Sequence, residues 1–543
     1  MGDLSADYIV VGSGVTGSVI ASRLSESSPK LKVILFEAGA DPSGEPAAAG
    51  FLSGLALQNG QFDYASASEP VPTTANRMHT LSAGKALGGG SILNYGGWLR
   101  ADAADYDEWA DVVGDRRWSH EGLKPWLRKS ESYYDRAADP EEHGFDGNMH
   151  VTSISASESG ERKYPLRETV KDAWLELGVP LNLEKKDGFI GGLTEMYENS
   201  REGMRQPSNT AYSLAGVDVH TETAVHKVIF SGTTAMGVQL VDGRKVSARK
   251  EVIICAGAYR TPQLLMLSGI GPSDVLKEHG IPLVHESSHV GQNLHDHFAI
   301  YLAFRLRDPS LGYALGSPLW QNPALYKALP WDWIVSQALP SEIIGRHENA
   351  KNKEKRNLYE ILTAYVPPGI PGIPVDGTHI ATSTMLLLPN SRGSVSIRSA
   401  KPDDAPLVRP NYLSTPFDTD TLVHATRQTL RLMLATEHMK PIVEGETPPS
   451  GDGLDGLQPI TIDSTDEELE ERIRRTGMQH SHSGGTAAMG SVVDGYGKVL
   501  GVDRLRVADA SIVPIPLGGH PQATLYAMAE QLASDICDAA HTD

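Results

Sequence analysis

The chain has 543 residues and a mass of 58.5 kDa, well past the roughly 250–300 residues at which one hydrophobic core stops growing, so two large domains are expected and a small binding module is excluded. With 40% hydrophobic and 21% charged residues and a mean hydropathy of -0.26, the composition is that of a folding, soluble chain and not of a disordered one. The 48 Lys+Arg against 68 Asp+Glu leave a net charge of -20, which repels polyanions and argues against nucleic acid or an anionic membrane as partner.

Residues Met1 to Asp7 carry no basic and apolar leader, no Asn-x-Ser/Thr acceptor occurs, and no apolar run is long enough to span a bilayer. A cytoplasmic location is therefore expected. The terminal His541-Thr542-Asp543 is not a peroxisomal address of the usual type. Two cysteines, Cys255 and Cys537, form no disulfide framework, and Cys255 in its apolar run reads as buried and inert.

Asp7-Tyr-Ile-Val-Val-Gly12 predicts a strand, Thr16 to Ser27 a helix and Leu31 to Glu37 a second strand, together a right-handed βαβ unit. The turn between them is Gly12-Ser-Gly14-Val15-Thr16-Gly17. In this context the first glycine makes the turn, the second lets the backbone approach a pyrophosphate, and the third lets helix pack on strand. The helix N-terminus offers free N–H groups to the anion. Glu37, twenty residues after Gly17 and just before Ala38, is placed to accept from a ribose hydroxyl. These features predict a dinucleotide and leave NAD and FAD open.

Residues 38 to 110 read as long loops and short helices over a site. Within them lies Gly84-Lys-Ala-Leu-Gly88-Gly89-Gly90-Ser91-Ile-Leu-Asn94-Tyr-Gly96-Gly97-Trp98, where glycines let the backbone lie against a flat or charged ligand and Ser91 and Asn94 supply hydrogen bonds. From 217 to 260 three strand-like runs predict a meander returning to the first sheet. Residues 305 to 375 mix Pro, Trp and Tyr without a clear period, and the run Lys351 to Arg356 reads as a solvated surface. Strands are expected in 391 to 413, an amphipathic helix from Asp418 to Ala435, and a surface loop from Glu444 to Leu457. There is no internal repeat.

The second glycine cluster, through Asp107, resembles the first signature of the glucose-methanol-choline (GMC) flavoproteins, and Gly257 to Gly271 resembles the second. Val290-Gly-Gln-Asn-Leu-His-Asp-His297 and the block from His482 to Ile536 are similar to further landmarks of that family. The resemblance implies FAD in place of NAD. It also implies an α/β fold: a doubly wound, Rossmann-like FAD domain from 1–155, 210–300 and 475–543, with a discontinuous α+β substrate domain from 156–209 and 301–474 built on an antiparallel sheet. The cofactor-binding positions are then Gly12, Gly14, Val15, Thr16, Gly17, Glu37, Ala38, Gly88, Gly89, Ser91, Asn94, Gly96, Val225 at the adenine, and Asp509, Ala510, Pro521 and Gln522 at the flavin. Leu93 stands where some family members tether the flavin through histidine, so the FAD is expected to be non-covalent.

By the same register His482-Ser-Gly-Gly-Thr486 supplies a general base and His520 its partner, for oxidation of a primary or secondary alcohol to a carbonyl. The chemistry suits histidine. A base near neutrality takes the hydroxyl proton while the flavin accepts a hydride, and a second imidazole steadies the developing alkoxide. His480 is a rival base, because residues two apart on a strand share a face. A metal at His480/His482 or His295/His297 lacks a neighbouring carboxylate or thiolate set, so no metal is expected, and His295 and His297 read as braces. Trp98 reads as an active-site roof or a core residue. Tyr313, Trp320, Tyr326, Trp331 and Trp333 are candidates for an aromatic entrance. The expected partners are a small alcohol and dioxygen or another electron acceptor. The alternative is an FAD-retaining relative with net non-redox chemistry of lyase, cyclase or photodecarboxylase type.

Overall fold

The structure, a computed structural model, describes residues 4–50, 54–153, 162–183, 188–201, 203–327 and 329–542. The chain begins with β1 (Ser5–Val11), α1 (Val15–Ser27) and β2 (Val33–Phe36). All four β2 residues are buried, the uninterrupted apolar character of a parallel strand covered on both faces. The next long segment is mostly irregular and carries the single turn α2 (Gly90–Leu93), then α3 (Ala103–Val113). At 11 residues that second helix is longer than the short helices expected there. Asp102 caps it reciprocally with Asp105, and Gly114 ends it with φ 73°, the left-handed conformation that glycine adopts without strain.

After β3 (Gly192–Glu195), which belongs to a second sheet, come β4 (Asp218–His220), β5 (Val225–Ser231), β6 (Thr234–Leu240), β7 (Lys245–Ile254) and α4 (Gly257–Leu267). The first sheet runs β4-β2-β1-β7-β6-β5, and Leu505–Val507 adds to β7. Strands β4, β2, β1, β7 and Leu505–Val507 are mutually parallel, and β7, β6 and β5 are the antiparallel meander. The meander therefore feeds the first sheet as its sequence predicts. Cys255, just past β7, is buried, and burial holds its thiol well above the usual range.

The second sheet is antiparallel and contains β8 (Phe298–Leu306), β9 (Trp331–Gln337), β10 (Tyr359–Ala364) and β11 (His379–Leu386). The helix α5 (Pro416–Ala435) lies on it, capped by Thr415, and the edge strand β12 (Val443–Thr447) follows. The order is β12-β8-β11-β10-β9-β3, with Met478–Gln479 also on β8. Between β11 and α5, Ser394–Ser396 and Leu407–Arg409 form a small hairpin. The final helix α6 (Pro521–Thr542) packs on α1, where Arg23 and the buried Glu530 meet at 2.6 Å. Among the described residues no helix is long and apolar enough to cross a membrane.

The architecture is the expected α/β type, a doubly wound sheet beside an antiparallel one. Of the expected boundaries, 155/156 lies within 154–161, outside the described residues; the second sheet takes Gly192–Glu195, then the long strand from Phe298, and also Met478–Gln479. Three local readings need correction. Residues 305 to 375 contain β9 and β10, which are buried on both faces and so show no alternation by which to find them. The run from 351 to 356 is not wholly solvated. Lys353 is buried, donating to the Leu388 carbonyl at 2.7 Å, and Arg356 pairs with Asp105 and, at 2.8 Å, with Glu108 on α3; the side chain of Lys351 is outside what is described. The segment from Glu444 is strand β12 before it is loop, and Glu446 on it is buried against Arg472.

Candidate active site

One cavity of ≈ 810 Å³ runs from the turn after β1, between the two sheets, to the C-terminal histidines, a size within the range of cofactor and ligand sites. Gly12 holds φ 98°, and a side chain on it would overlap the Cys255 carbonyl. Gly17 would overlap the Gly12 carbonyl, so it serves helix packing behind the wall. Gly14 is different: a Cβ there meets no atom within 4 Å and would enter the cavity itself. With Val15 and Thr16 it sets the N-terminus of α1 against that space.

Glu37 forms the next stretch of wall with Ala38. Its carboxylate accepts from Ser13 N at 3.0 Å, Ser13 Oγ at 2.7 Å and Gly39 N at 2.8 Å, which ties the acid to the glycine turn. Burial nonetheless pushes its pKa up. Val225 lines the same end with Thr223 and Ala224, and there Arg260 lies over Tyr64 with its guanidinium carbon 4.3 Å from the ring centre.

In the second glycine cluster Gly89, Asn94 and Gly96 line the cavity, whereas Gly88 and Ser91 do not. The Ser91 hydroxyl donates to Gly88 O at 2.5 Å, accepts from Ser208 N at 2.9 Å and lies 3.1 Å from Ser208 Oγ, so its side chain holds the loop in shape and does not reach into the cavity. Asn94 donates to Gln522 Oε1 at 3.2 Å, and its own Oδ1 accepts from Gly96 N at 3.1 Å and Arg205 Nη1 at 3.1 Å. Arg205 is buried and also donates to the carbonyls of Ser91, Ala48 at 2.6 Å and Ile92 at 2.8 Å. A guanidinium thus pins the loop from behind. Asp509 accepts from Gly257 N at 2.9 Å, Thr261 Oγ1 at 2.6 Å and Ser511 N at 2.8 Å. With Ala510, Pro521 and Gln522, at the start of α6, it lines the cavity.

His482 and His520 meet at the far end, their ring centres 5.1 Å apart. His480 joins them at 4.8 Å from His482 and 6.0 Å from His520. The segment is not a strand at that point. Ser481 has φ 57°, a conformation costing about 1–2 kcal/mol for a residue with a Cβ, and the kink still leaves all three imidazoles on the cavity wall. The loop is anchored by Asp296, which accepts from His482 N at 2.8 Å, Ser483 Oγ at 2.9 Å and Tyr412 Oη at 3.1 Å.

Hydrogen bonding assigns the tautomers. His297 Nε2 lies 2.9 Å from the Leu517 carbonyl, which can only accept, so Nε2 carries the proton and Nδ1 the lone pair. His482 Nδ1, 2.8 Å from His297 Nδ1, must then donate. The remaining nitrogen of His482, Nε2, is left with a lone pair. Burial, reinforced by the neighbouring imidazoles, holds His482 well below the usual histidine range. His520 Nε2 lies 3.0 Å from Glu360 Oε1 and donates to it, while its Nδ1 lies over Gly97, where an added Cβ would come within 3.3 Å. His295 is a brace, bonded to Val513 O at 3.0 Å; His297 is more than that, since it orients His482.

Of the five candidate aromatics only Trp331 lines the cavity. Trp333 turns to the opposite face and donates to Arg167 O at 2.9 Å, Trp320 is buried against Tyr164, and Tyr326 is exposed and bonded to Trp320 O at 2.7 Å. Tyr313 packs at the edge of the second core. Trp98 is a core residue packed on Tyr526. The residues that sequence reading missed, Tyr301, Glu360, Thr382 and Ser383, come from β8, β10 and β11. Glu360 had one signal: it is the lone charge in the apolar run from Leu358 to Ala364.

The donor set fits FAD. Along one cavity, the open space at Gly14 and the N-terminus of α1 would take the pyrophosphate, the Glu37 carboxylate the ribose on its adenine side, and the flat glycine loop the flavin ring on its other side.

Family models described as GMC oxidoreductase match residues 6–299 and 389–529. The chain is 36% identical to "GMC-type oxidoreductase acuG" of Aspergillus aculeatus over 545 residues, covering 97% of this chain and 98% of the other. It is 32% identical to an "Oxygen-dependent choline dehydrogenase" of Escherichia coli over 572 residues, covering 98% and 95%. Among solved structures, an R554A formate oxidase from Aspergillus oryzae RIB40 superposes with a TM-score of 0.89 at 28% identity, covering 99% of each chain.

Proposed function

The chain belongs to the GMC oxidoreductase family and is an FAD flavoenzyme that oxidises a small molecule and passes electrons to an acceptor; from that premise we propose that it oxidises a primary or secondary alcohol to a carbonyl, with His482 as base and His520 as partner. The observation that carries this reading is the convergence of the two imidazoles, 5.1 Å apart, on the cavity that also holds the dinucleotide cradle.

Bound FAD supplies the acceptor for the hydride. The residues that would hold it are those of the α1 N-terminus, Glu37, the loop from Gly89 to Gly96, Val225, Asp509, Ala510, Pro521 and Gln522. Leu93 lines the cavity with a hydrocarbon side chain that offers no nucleophile for attachment, which supports non-covalent FAD.

The chain's own part is proton transfer and positioning. His482 Nε2 has the lone pair that takes the hydroxyl proton, because Nδ1 is committed to His297. The imidazolium form of His520, held through Nε2–H by the Glu360 carboxylate, donates from Nδ1–H to the substrate oxygen and stabilises it as negative charge develops. Two imidazoles on one oxygen also fix the carbinol carbon relative to the flavin loop. The wall built by Trp331, Leu362, Ala364 and Val366 supplies an apolar surface that excludes water from the reacting end.

The test is anaerobic mixing of the yellow holoenzyme with aliphatic, aromatic, furanic and sugar alcohols. At least one class bleaches the flavin and yields the matching carbonyl. A panel that leaves the oxidised spectrum unchanged throughout contradicts the reading.

A further inference from the structure

The two oxidoreductases named above present opposite substrate charges, an alkylammonium alcohol in choline and an anion in formate, and the histidine end of this cavity decides between charge types. Glu360 stands on β10, with Leu362 and Ala364 two and four residues on along the same face. It is buried, at 3% exposure, and opens on the cavity beside His520. Among the described residues lining the cavity, the one guanidinium or ammonium is Arg260, and it lies over Tyr64, whose hydroxyl feels the charge of Glu37 at the dinucleotide end.

We propose that Glu360 is a specificity-determining residue that makes this site reject carboxylate substrates and accept uncharged ones; the inference rests on the alcohol-oxidase reading only for where the substrate sits. A charge balance carries it. Carboxylate with imidazolium sums to zero, carboxylate with imidazole to minus one, and carboxylic acid with imidazole to zero. Only the fourth arrangement, carboxylic acid with imidazolium, is positive, and it needs two protons on one hydrogen-bonded pair. The other imidazoles add none, because burial holds His480 at about 3 and His297 and His482 well below the usual histidine range. An anion entering here sheds its water with no net positive charge to replace it, and buried charges without a compensating partner are disfavoured. Tyr301, Thr382 and Ser383 on the neighbouring strands and Asn94, Gln479, Ser481, Ser483 and Gln522 add hydroxyls and amides, which carry no charge and suit a neutral ligand.

The experiment titrates oxidised holoenzyme with benzamide and benzoate, which share shape and differ in charge, and follows the flavin difference spectrum at pH 8. Benzamide is expected to bind at least 10-fold more tightly. In Glu360→Gln, which keeps an oxygen for His520 Nε2–H and removes the charge, the preference is expected to shrink at least 5-fold. A wild-type ratio near one, an unchanged ratio in the variant, or no perturbation by benzamide overturns the proposal. Should the variant lose its FAD, the wild-type ratio decides, together with formate added anaerobically to wild type: a flavin bleached by formate overturns the proposal. Neither ligand is turned over in the titration, so it reads charge preference even if every alcohol fails to bleach the flavin, and the two readings fail separately.

Discussion

His297 Nδ1 and His482 Nδ1 lie 2.8 Å apart with their ring planes at 83°, and the Leu517 carbonyl on the far side of His297 fixes which of the two donates. The contact makes a residue outside the C-terminal motif responsible for the protonation pattern of the base. His297→Phe removes the acceptor for His482 Nδ1–H and frees the ring to present N–H to the substrate. Anaerobic flavin reduction is expected to slow about 10–100-fold with FAD still bound, by analogy with the loss of groups that orient a functional imidazole. His297→Gln, which retains an acceptor and a donor, recovers part of the rate. Equal rates in wild type and the Phe variant would remove His297 from the account.

Gly14 separates cofactor binding from folding. A Cβ there meets no protein atom within 4 Å and enters the cavity, so Gly14→Leu is expected to fold and purify as colourless apoprotein. Far-ultraviolet circular dichroism and the ratio of flavin to protein absorbance check this. A yellow, fully loaded variant would show that the pyrophosphate lies elsewhere.

The pH dependence follows from the burial of His482. Only the neutral ring has the accepting lone pair, and protonation removes it. Because burial lowers the His482 pKa well below 6.5, the base stays competent as pH falls through that value. The acid limb of kcat/KM for an alcohol is therefore expected below pH 6.5. A limb at or above 6.5 that disappears in His482→Ala would contradict the environment described for this ring.

Arg205 is a buried cation bonded to three carbonyls and an amide oxygen of the flavin loop and its neighbours, and burial pushes its pKa down to about 10. Arg205→Met removes the guanidinium donor from the three carbonyls and leaves Asn94 Oδ1 with Gly96 N alone. The expected loss is about 2–4 kcal/mol, several unmet acceptors offset by relief of the buried charge, read as a lower unfolding midpoint and weaker FAD retention. An unchanged midpoint would mean that the loop holds its shape without the guanidinium.

The turn that forms one end of the cavity was legible because its signals are local. Gly12, Gly14, Gly17 and Glu37 lie within one βαβ unit whose strands and helix the apolar periodicity also marks, and the turn geometry of Gly12 requires glycine. His482 and His520 stood out by their spacing to Gly485-Thr486 and Pro521-Gln522 and by family resemblance. Glu360 did not, since it is 160 residues from His520 in the chain and reaches it through the register of the antiparallel sheet, which no short pattern encodes. Ser91 shows the complementary limit. Its position in the loop was readable, but the direction of its hydroxyl depends on Gly88 and Ser208, the latter 117 residues away. Lys353 and Arg356 were misread for the same reason: a charge run looks solvated until Asp105 and Leu388 arrive from elsewhere in the fold.

The most direct measurement is stopped-flow anaerobic flavin reduction by an alcohol that bleaches the wild type, compared with His482→Ala at matched FAD content. The account predicts a fall of about 10²–10⁴-fold, the usual contribution of a positioned general base, with the flavin still bound and yellow. A variant that reduces its flavin at the wild-type rate would contradict the assignment of the proton acceptor and, with it, the mechanism.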